Sequence, residues 1–167
     1  DNEKEPLIRR HIYDRGRLQS SDTPIGKFFT KSDLLNKEHH LAIEAKDGVV
    51  KTYIDKVLVD TYTDTDSKLS NGYIGFRAFS GNNTNETAMF DNIVLTEYEQ
   101  KGDKEEAKVV LKEDFEKPQS AFEGGEIVSV GGNRKLNMVS GSGDYRVLQV
   151  DMSGVPMFRK EFKAKKK

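Results

Sequence analysis

Three carboxylates crowd the run Leu111-Lys112-Glu113-Asp114-Phe115-Glu116, and carboxylates at close spacing are the first place to look for acid–base chemistry. Cleaving a glycosidic bond, for example, needs two carboxyl groups held across the scissile bond, one of them with a raised pKa. Glu113, Asp114 and Glu116 come nearest to that requirement. No partner acid or base is specified around them, so they read as strand-end or solvated carboxylates, and no catalytic residue is assigned.

Metal ligation has its own candidates. Along Asp60-Thr61-Tyr62-Thr63-Asp64-Thr65-Asp66 carboxylates recur among threonines, and such hard oxygen ligands suit calcium. Asp60, Asp64 and Asp66 are the candidate ligands, with Asp91 as a further one. The run lacks the glycine and terminal glutamate of an EF-hand loop, so an ordinary polar turn is the simpler reading and no cofactor is expected beyond a structural calcium ion. His39 and His40 are neighbours that a strand points to opposite faces, and His11 stands alone, which argues against zinc. Gly124-Gly125 and Gly131-Gly132 precede strands instead of helices, so they are turns and not phosphate loops.

Composition excludes several partners. With 27 basic and 28 acidic residues the net charge is -1, which leaves no electrostatic footprint for nucleic acid or an anionic membrane. Mean hydropathy is -0.72. No apolar run approaches the roughly 20 residues of a membrane helix, so no membrane span is expected. Without cysteine there is neither a disulfide framework nor thiol chemistry, and the compartment stays open on that point. The first residues show no signal peptide pattern.

The elements that must position these side chains are short strands. Leu7 to Tyr13 reads as one, ended by Asp14-Arg15-Gly16. Residues 17 to 34 read as irregular, with a turn at Pro24-Ile25-Gly26 and an apolar pair, Phe28-Phe29, that needs cover. His39, Leu41, Ile43 and Ala45 share one face. Asp47-Gly48 then turns the chain into Val49–Asp55, and a second turn at Asp55-Lys56 leads into Val57–Asp64, an antiparallel meander. Asn71-Gly72 introduces a strand from Tyr73 to Phe79, and a polar loop carrying two Asn-x-Thr sequons at Asn82 and Asn85 joins it to one strand from Ala88 to Leu95. Residues 99–108, EQKGDKEEAK, have no large aliphatic side chain and read as a linker. Strands resume at Val109–Phe115, Ile127–Val130, Leu136–Val139, Tyr145–Val150 and Met157–Phe162, so the expectation is all-β and antiparallel, with no helix longer than about three turns.

Gly72-Tyr73-Ile74-Gly75-Phe76-Arg77 followed by Ala88-Met89-Phe90-Asp91-Asn92-Ile93-Val94-Leu95 resembles the closing strands of concanavalin A-like jelly-roll domains. The preceding Leu41-Ala42-Ile43, Asp47-Gly48, Thr52-Tyr53-Ile54-Asp55 and Val59-Asp60-Thr61 extend the likeness, with Lys56 where those modules generally have glycine. The Glu-x-Asp-x-x-Glu signature of the laminarinase-type members does not occur. In such a phrase the Asp91-Asn92 pair is expected to hydrogen-bond neighbouring backbone. Val155-Pro156-Met157-Phe158-Arg159-Lys160-Glu161-Phe162 in turn resembles the strand that opens the β domain ahead of the catalytic (α/α) barrel of bacterial, Bacteroides-type α-L-rhamnosidases.

Together these resemblances imply a concanavalin A-like β-sandwich, or a fragment of one, over residues 1–98, a linker over 99–108, and a second β segment over 109–167 leading into the next β domain. They imply a noncatalytic accessory region of a glycoside hydrolase acting on plant or microbial glycans, periplasmic or extracellular at the cell surface, whose partner is the catalytic domain of the same parent chain. The alternative is an independent lectin-like module that binds glycan or protein. The chain has no tryptophan, and Tyr13, Tyr53, Tyr62, Tyr73, Tyr98 and Tyr145 fall mostly within strands, where packing accounts for them. A truncated jelly roll must cover Phe28, Phe29, Ile43, Ile54, Phe76 and Phe90 some other way. Closure by the segment beyond residue 108 is expected, with contacts to Phe76 and Phe90, or else a homodimer.

Overall fold

The computed structural model describes residues 5–14, 17–65, 87–117, 126–139, 144–145, 148–150, 156–158 and 162–163. The chain divides into two compact units, Asp1–Ser70 and Asn71–Lys167, and the described residues are almost wholly antiparallel β structure in several small sheets. The Asn71–Glu86 stretch, with Tyr73, Phe76 and the asparagines of both sequons, lies outside the described residues.

In the first unit β1 (Leu7–Asp14) pairs with β2 (Arg17–Pro24). Residues 17–24 are therefore a strand and not irregular chain. Their sequence, RLQSSDTP, shows no apolar alternation; the strand is defined by its register on β1, from Leu7 opposite Pro24 to Asp14 opposite Arg17. A four-residue helix, α1 (Lys31–Leu34), follows, closed by a capping box between Thr30 and Asp33. Then come β3 (Leu41–Lys46), β4 (Val49–Ile54) and β5 (Val57–Thr63), in the sheet order β3-β4-β5. Both connecting loops have two residues at positive φ, Asp47 (49°) with Gly48 (74°) and Asp55 (50°) with Lys56 (69°). That is the type I′ geometry that matches strand twist, so Lys56 adopts the conformation glycine would take with less strain. The meander expected from the sequence is present. Its core is small: Ile25, Ile54 and Val59 are buried, with Ile8, Phe29 and Leu34 packed against them. Phe29 thus has cover, whereas Phe28 remains partly exposed.

In the second unit β6 (Thr87–Phe90) and β7 (Ile93–Lys101) are separate strands, where the sequence suggested one. The break is at Asn92, in the left-handed region at φ 52°, its N–H held by Asp91 Oδ1 at 2.7 Å. The expected backbone role of the Asp-Asn pair is met. β7 pairs along its whole length with β8 (Lys104–Glu113). The segment 99–108 is consequently the tip of a hairpin and not a linker. Gly102, at φ 62°, leads its two-residue loop, and the Lys101 ammonium reaches Glu106 across the ribbon at 2.6 Å. Charged side chains at this density suit a two-stranded ribbon as well as a solvated tether, because neither needs a buried face.

β9 (Glu126–Val130) and β10 (Asn133–Val139) form a further hairpin through Gly131-Gly132, and β6 adds to it in the order β6-β10-β9. Phe115 and Leu136 are buried there, against Phe90, Ile93 and Ile127. The expected contact between Phe90 and residues beyond 108 is present, and Phe76 lies outside the described residues. Short pairs, β11 (Asp144–Tyr145) with β14 (Phe162–Lys163) and β12 (Leu148–Val150) with β13 (Pro156–Phe158), complete the described chain.

Candidate functional site

The most concentrated polar chemistry of the first unit surrounds Asp60. Strand β5 turns Asp60 toward the β1–β2 hairpin, where Arg10 and Thr23 project. Arg10 Nη2 donates to Asp60 Oδ2 at 2.5 Å, Thr23 Oγ1 donates to Oδ1 at 2.9 Å, and Arg10 Nη1 donates to Ser21 Oγ at 3.0 Å. The same guanidinium lies 4.6 Å from the centroid of the Tyr62 ring. Burial is the largest influence on the Asp60 carboxyl and pushes its pKa upward, but the hydrogen bonds from Arg10 and Thr23 and the Arg10 charge outweigh it, leaving the group below the usual carboxylate range. A carboxylate so held is ionised, neutralised and hydrogen-bonded on both oxygens. It is a fastener between hairpin and sheet, and the cation it holds is an arginine.

Asp64 is buried, and its backbone N–H donates to Gly48 O at 2.7 Å at the end of the meander. Asp91 belongs to the second unit and serves Asn92. Asp66 lies outside the described residues. No group of three or more His, Asp or Glu side chains placed to hold a metal ion occurs among the described residues.

His39 and His40 converge on a different acid, Asp55, in the type I′ loop. His39 Nδ1 lies 2.7 Å from Asp55 Oδ2, and the His40 backbone N–H donates to Oδ1 at 2.8 Å. The His39 hydrogen bond, followed by that of His40, lowers the Asp55 pKa. Only His39 engages through its ring, in keeping with neighbours that point to opposite sides. His11 sits at 3.2 Å from Ser20 Oγ on the outer hairpin.

The LKEDFE carboxylates of the second unit are also committed to backbone. Glu113 Oε1 accepts the Phe115 N–H at 2.8 Å, Asp114 Oδ1 accepts the Glu116 N–H at 3.3 Å, and Glu116 Oε1 accepts the Arg134 N–H at 2.8 Å. The residue they enclose, Phe115, is fully buried at φ 57°. A bulky side chain in the left-handed region is an outlier that surrounding bonds must hold in place. These three acids hold the turn that delivers Phe115 to the core. The Asp-x-Glu spacing of an Asx turn was the one local signal of that role.

On the outward face of the meander, Tyr53 Oη donates to Glu44 Oε2 at 3.1 Å, and burial followed by that bond raises the Tyr53 pKa. Beside it a shallow groove of ≈ 220 Å³ is lined by Glu44, Lys46, Asp47, Val49 and Lys51. Tyr62 is engaged by Arg10, and Tyr98 is exposed on the β7–β8 ribbon. The side chains of Tyr13, Tyr73 and Tyr145 lie outside the described residues. No protein-family model, curated protein or solved structure matches this chain.

Proposed function

We propose that the chain is a noncatalytic β-sandwich region of the concanavalin A-like kind, accessory to a bacterial glycoside hydrolase of the α-L-rhamnosidase type. One observation supports this more than any other: the carboxylates with the best claim to chemistry are bound into the framework. Asp60 is tied to Arg10 and Thr23, and Glu113, Asp114 and Glu116 to the backbone around Phe115. A general acid needs a raised pKa and open access to substrate, and Asp60 has a lowered one. The meander with its two-residue turns and the Asp91-Asn92 turn add support, because both match the phrases on which the jelly-roll resemblance rests.

Two measurements test the proposal. The purified chain should leave an aryl α-L-rhamnoside intact; turnover above a denatured control, lost on replacing a carboxylate, would overturn the noncatalytic reading. Sequencing the coding region beyond Lys167 should reveal a β domain followed by an (α/α) barrel, and an unrelated continuation would remove the rhamnosidase assignment. The second reading, an independent glycan-binding module, draws on Tyr53 beside Glu44 on an open sheet face, and a glycan array decides it: binding lost in Tyr53→Ala would favour it over the accessory role.

A further inference from the structure

Strand β3 forms one edge of the meander, and its two largest apolar side chains are the most exposed large apolar residues of the first unit among the described residues, Leu41 at 61% and Ile43 at 73%. Among the described residues no strand pairs with its outer side. The direction of its backbone groups follows from the pairing with β4. Lys46 and Val49 close a two-residue hairpin, and on the same register Asp55 N–H donates to His40 O at 2.8 Å. Hydrogen-bonded and non-hydrogen-bonded pairs alternate along an antiparallel ladder, so residues 42, 44 and 46 spend their N–H and C=O on β4. Leu41, Ile43 and Ala45 therefore present theirs outward. A short edge of alternating apolar residues with such groups is a template for another strand.

We propose that this edge pairs antiparallel with β3 of a second copy of the chain, about a two-fold axis through Ala42, joining two three-stranded sheets into one. A two-fold axis perpendicular to the sheet keeps faces matched, so residues of like parity must oppose each other, which leaves few registers. Centring on Glu44 sets Glu44 against Glu44. Centring on Ala45 gives Glu44 opposite Lys46 but carries Ile43 out to the Asp47 turn. Centring on Ile43 brings Ile43 onto itself and leaves Glu44 opposite Ala42. Centring on Ala42 alone satisfies both faces: Leu41 of each copy meets Ile43 of the other in hydrogen-bonded pairs, and on the opposite face each Glu44 meets the other copy's His40. Apolar matching of Leu41 with Ile43 and the pairing of a carboxylate with an imidazole together select a copy of the same chain over an unrelated strand. The contact is far smaller than the roughly 1,200–2,000 Å² of a stable interface, so the dimer is weak and forms at about 0.1–1 mM chain.

The chain has no cysteine, which makes single thiols clean reporters. Ala42 opposite Ala42 is a non-hydrogen-bonded pair with Cα atoms about 4.5 Å apart, within the range a disulfide spans. Under oxidised glutathione Ala42→Cys should cross-link about tenfold faster than Ile43→Cys. In sedimentation, Glu44→Lys should weaken self-association about tenfold, and the swap Glu44→Lys with His40→Glu should restore it, with circular dichroism confirming that each variant folds. A chain that stays monomeric at about 1 mM, preferential cross-linking through Ile43→Cys, or a dimer indifferent to Glu44→Lys would each overturn the proposal.

Discussion

The described residues of the first unit and of the second are built from the same parts, hairpins with two-residue loops over a few buried apolar side chains, yet they fasten those parts differently. In the first unit Ile25, Ile54 and Val59 form a thin core, and a charged pair, Arg10 with Asp60, joins the β1–β2 hairpin to the sheet beside it. In the second, Phe115 carries the core with Leu136, and it reaches its place through a left-handed backbone bound on either side by carboxylates. One region places a charge where apolar area is scarce. The other accepts backbone strain to bury a large ring. Asp60 in the first unit and Glu113 in the second thus both work as structural connectors, by different routes.

The largest expected effect is at Phe115. Removing a fully buried ring in Phe115→Ala should destabilise the second unit by about 3–5 kcal/mol, seen in urea denaturation and in lost hydrogen-exchange protection over β6 to β10. Glycine normally costs stability relative to alanine, but at φ 57° the order should invert. Phe115→Gly should be more stable than Phe115→Ala by about 1 kcal/mol. If it is less stable, the left-handed conformation is not what the folded chain holds there.

Next comes the charged fastener. Asp60→Ala leaves Arg10 half-buried without its partner and should cost about 3 kcal/mol, while the double change Arg10→Met with Asp60→Ala should recover part of that loss. The pair also has a pH signature. Because the folded pKa of Asp60 is depressed, its contribution is present above the ordinary carboxylate pKa and is lost as pH falls through the folded value. Stability of the parent chain should therefore decline through the acid range more steeply than that of Asp60→Asn.

Much of the fold was legible where turn chemistry and alternation coincided: Asp47-Gly48 between Ala45 and Val50, or Gly131-Gly132 between Val130 and Leu136. It was illegible where pairing is imposed from elsewhere. Residues 17–24 are polar and become a strand because β1 lies opposite, and residues 99–108 look like a tether although Gly102 sits at the loop position of a hairpin. The break at Asn92 and the left-handed Phe115 depend on φ values that neither residue type demands. The site was harder still. Asp60 stands among threonines and aspartates that suggest calcium, and its actual cation, Arg10, lies fifty positions earlier in the chain. Local spacing cannot reveal such a partner.

A smaller effect tests the turns. Lys56 occupies the second loop position at φ 69°, a conformation glycine adopts with less strain. Lys56→Gly should stabilise the meander by about 1 kcal/mol, whereas Gly48→Lys, placing a side chain at φ 74° with its Cβ 3.4 Å from Asp64 O, should destabilise it by a similar amount. A raised urea midpoint for the first and a lowered one for the second would establish that both loops are type I′.

The smallest effect belongs to a second arginine–aspartate pair that isolates the role of solvent. Arg9 and Asp22 lie opposite each other on β1 and β2, and Arg9 donates from Nε and Nη2 to the two Asp22 oxygens, each at 2.7 Å. In geometry this bidentate pair is better than Arg10 with Asp60. The hydrogen bond from Arg9 lowers the Asp22 pKa, as Arg10 and Thr23 do for Asp60. The difference is exposure: 54% and 40% for the Arg9 and Asp22 side chains against 23% and 7% for Arg10 and Asp60. Water screens the outer pair in the folded state, and both ions are fully solvated when the chain unfolds, so little is gained by keeping them together. Asp22→Asn should leave the urea midpoint within experimental error, and added salt should abolish whatever difference remains. Should Asp22→Asn prove as damaging as Asp60→Asn, hydrogen-bond geometry and not burial would be the source of the fastener's strength, and scarcity of apolar area in the first unit would not explain it.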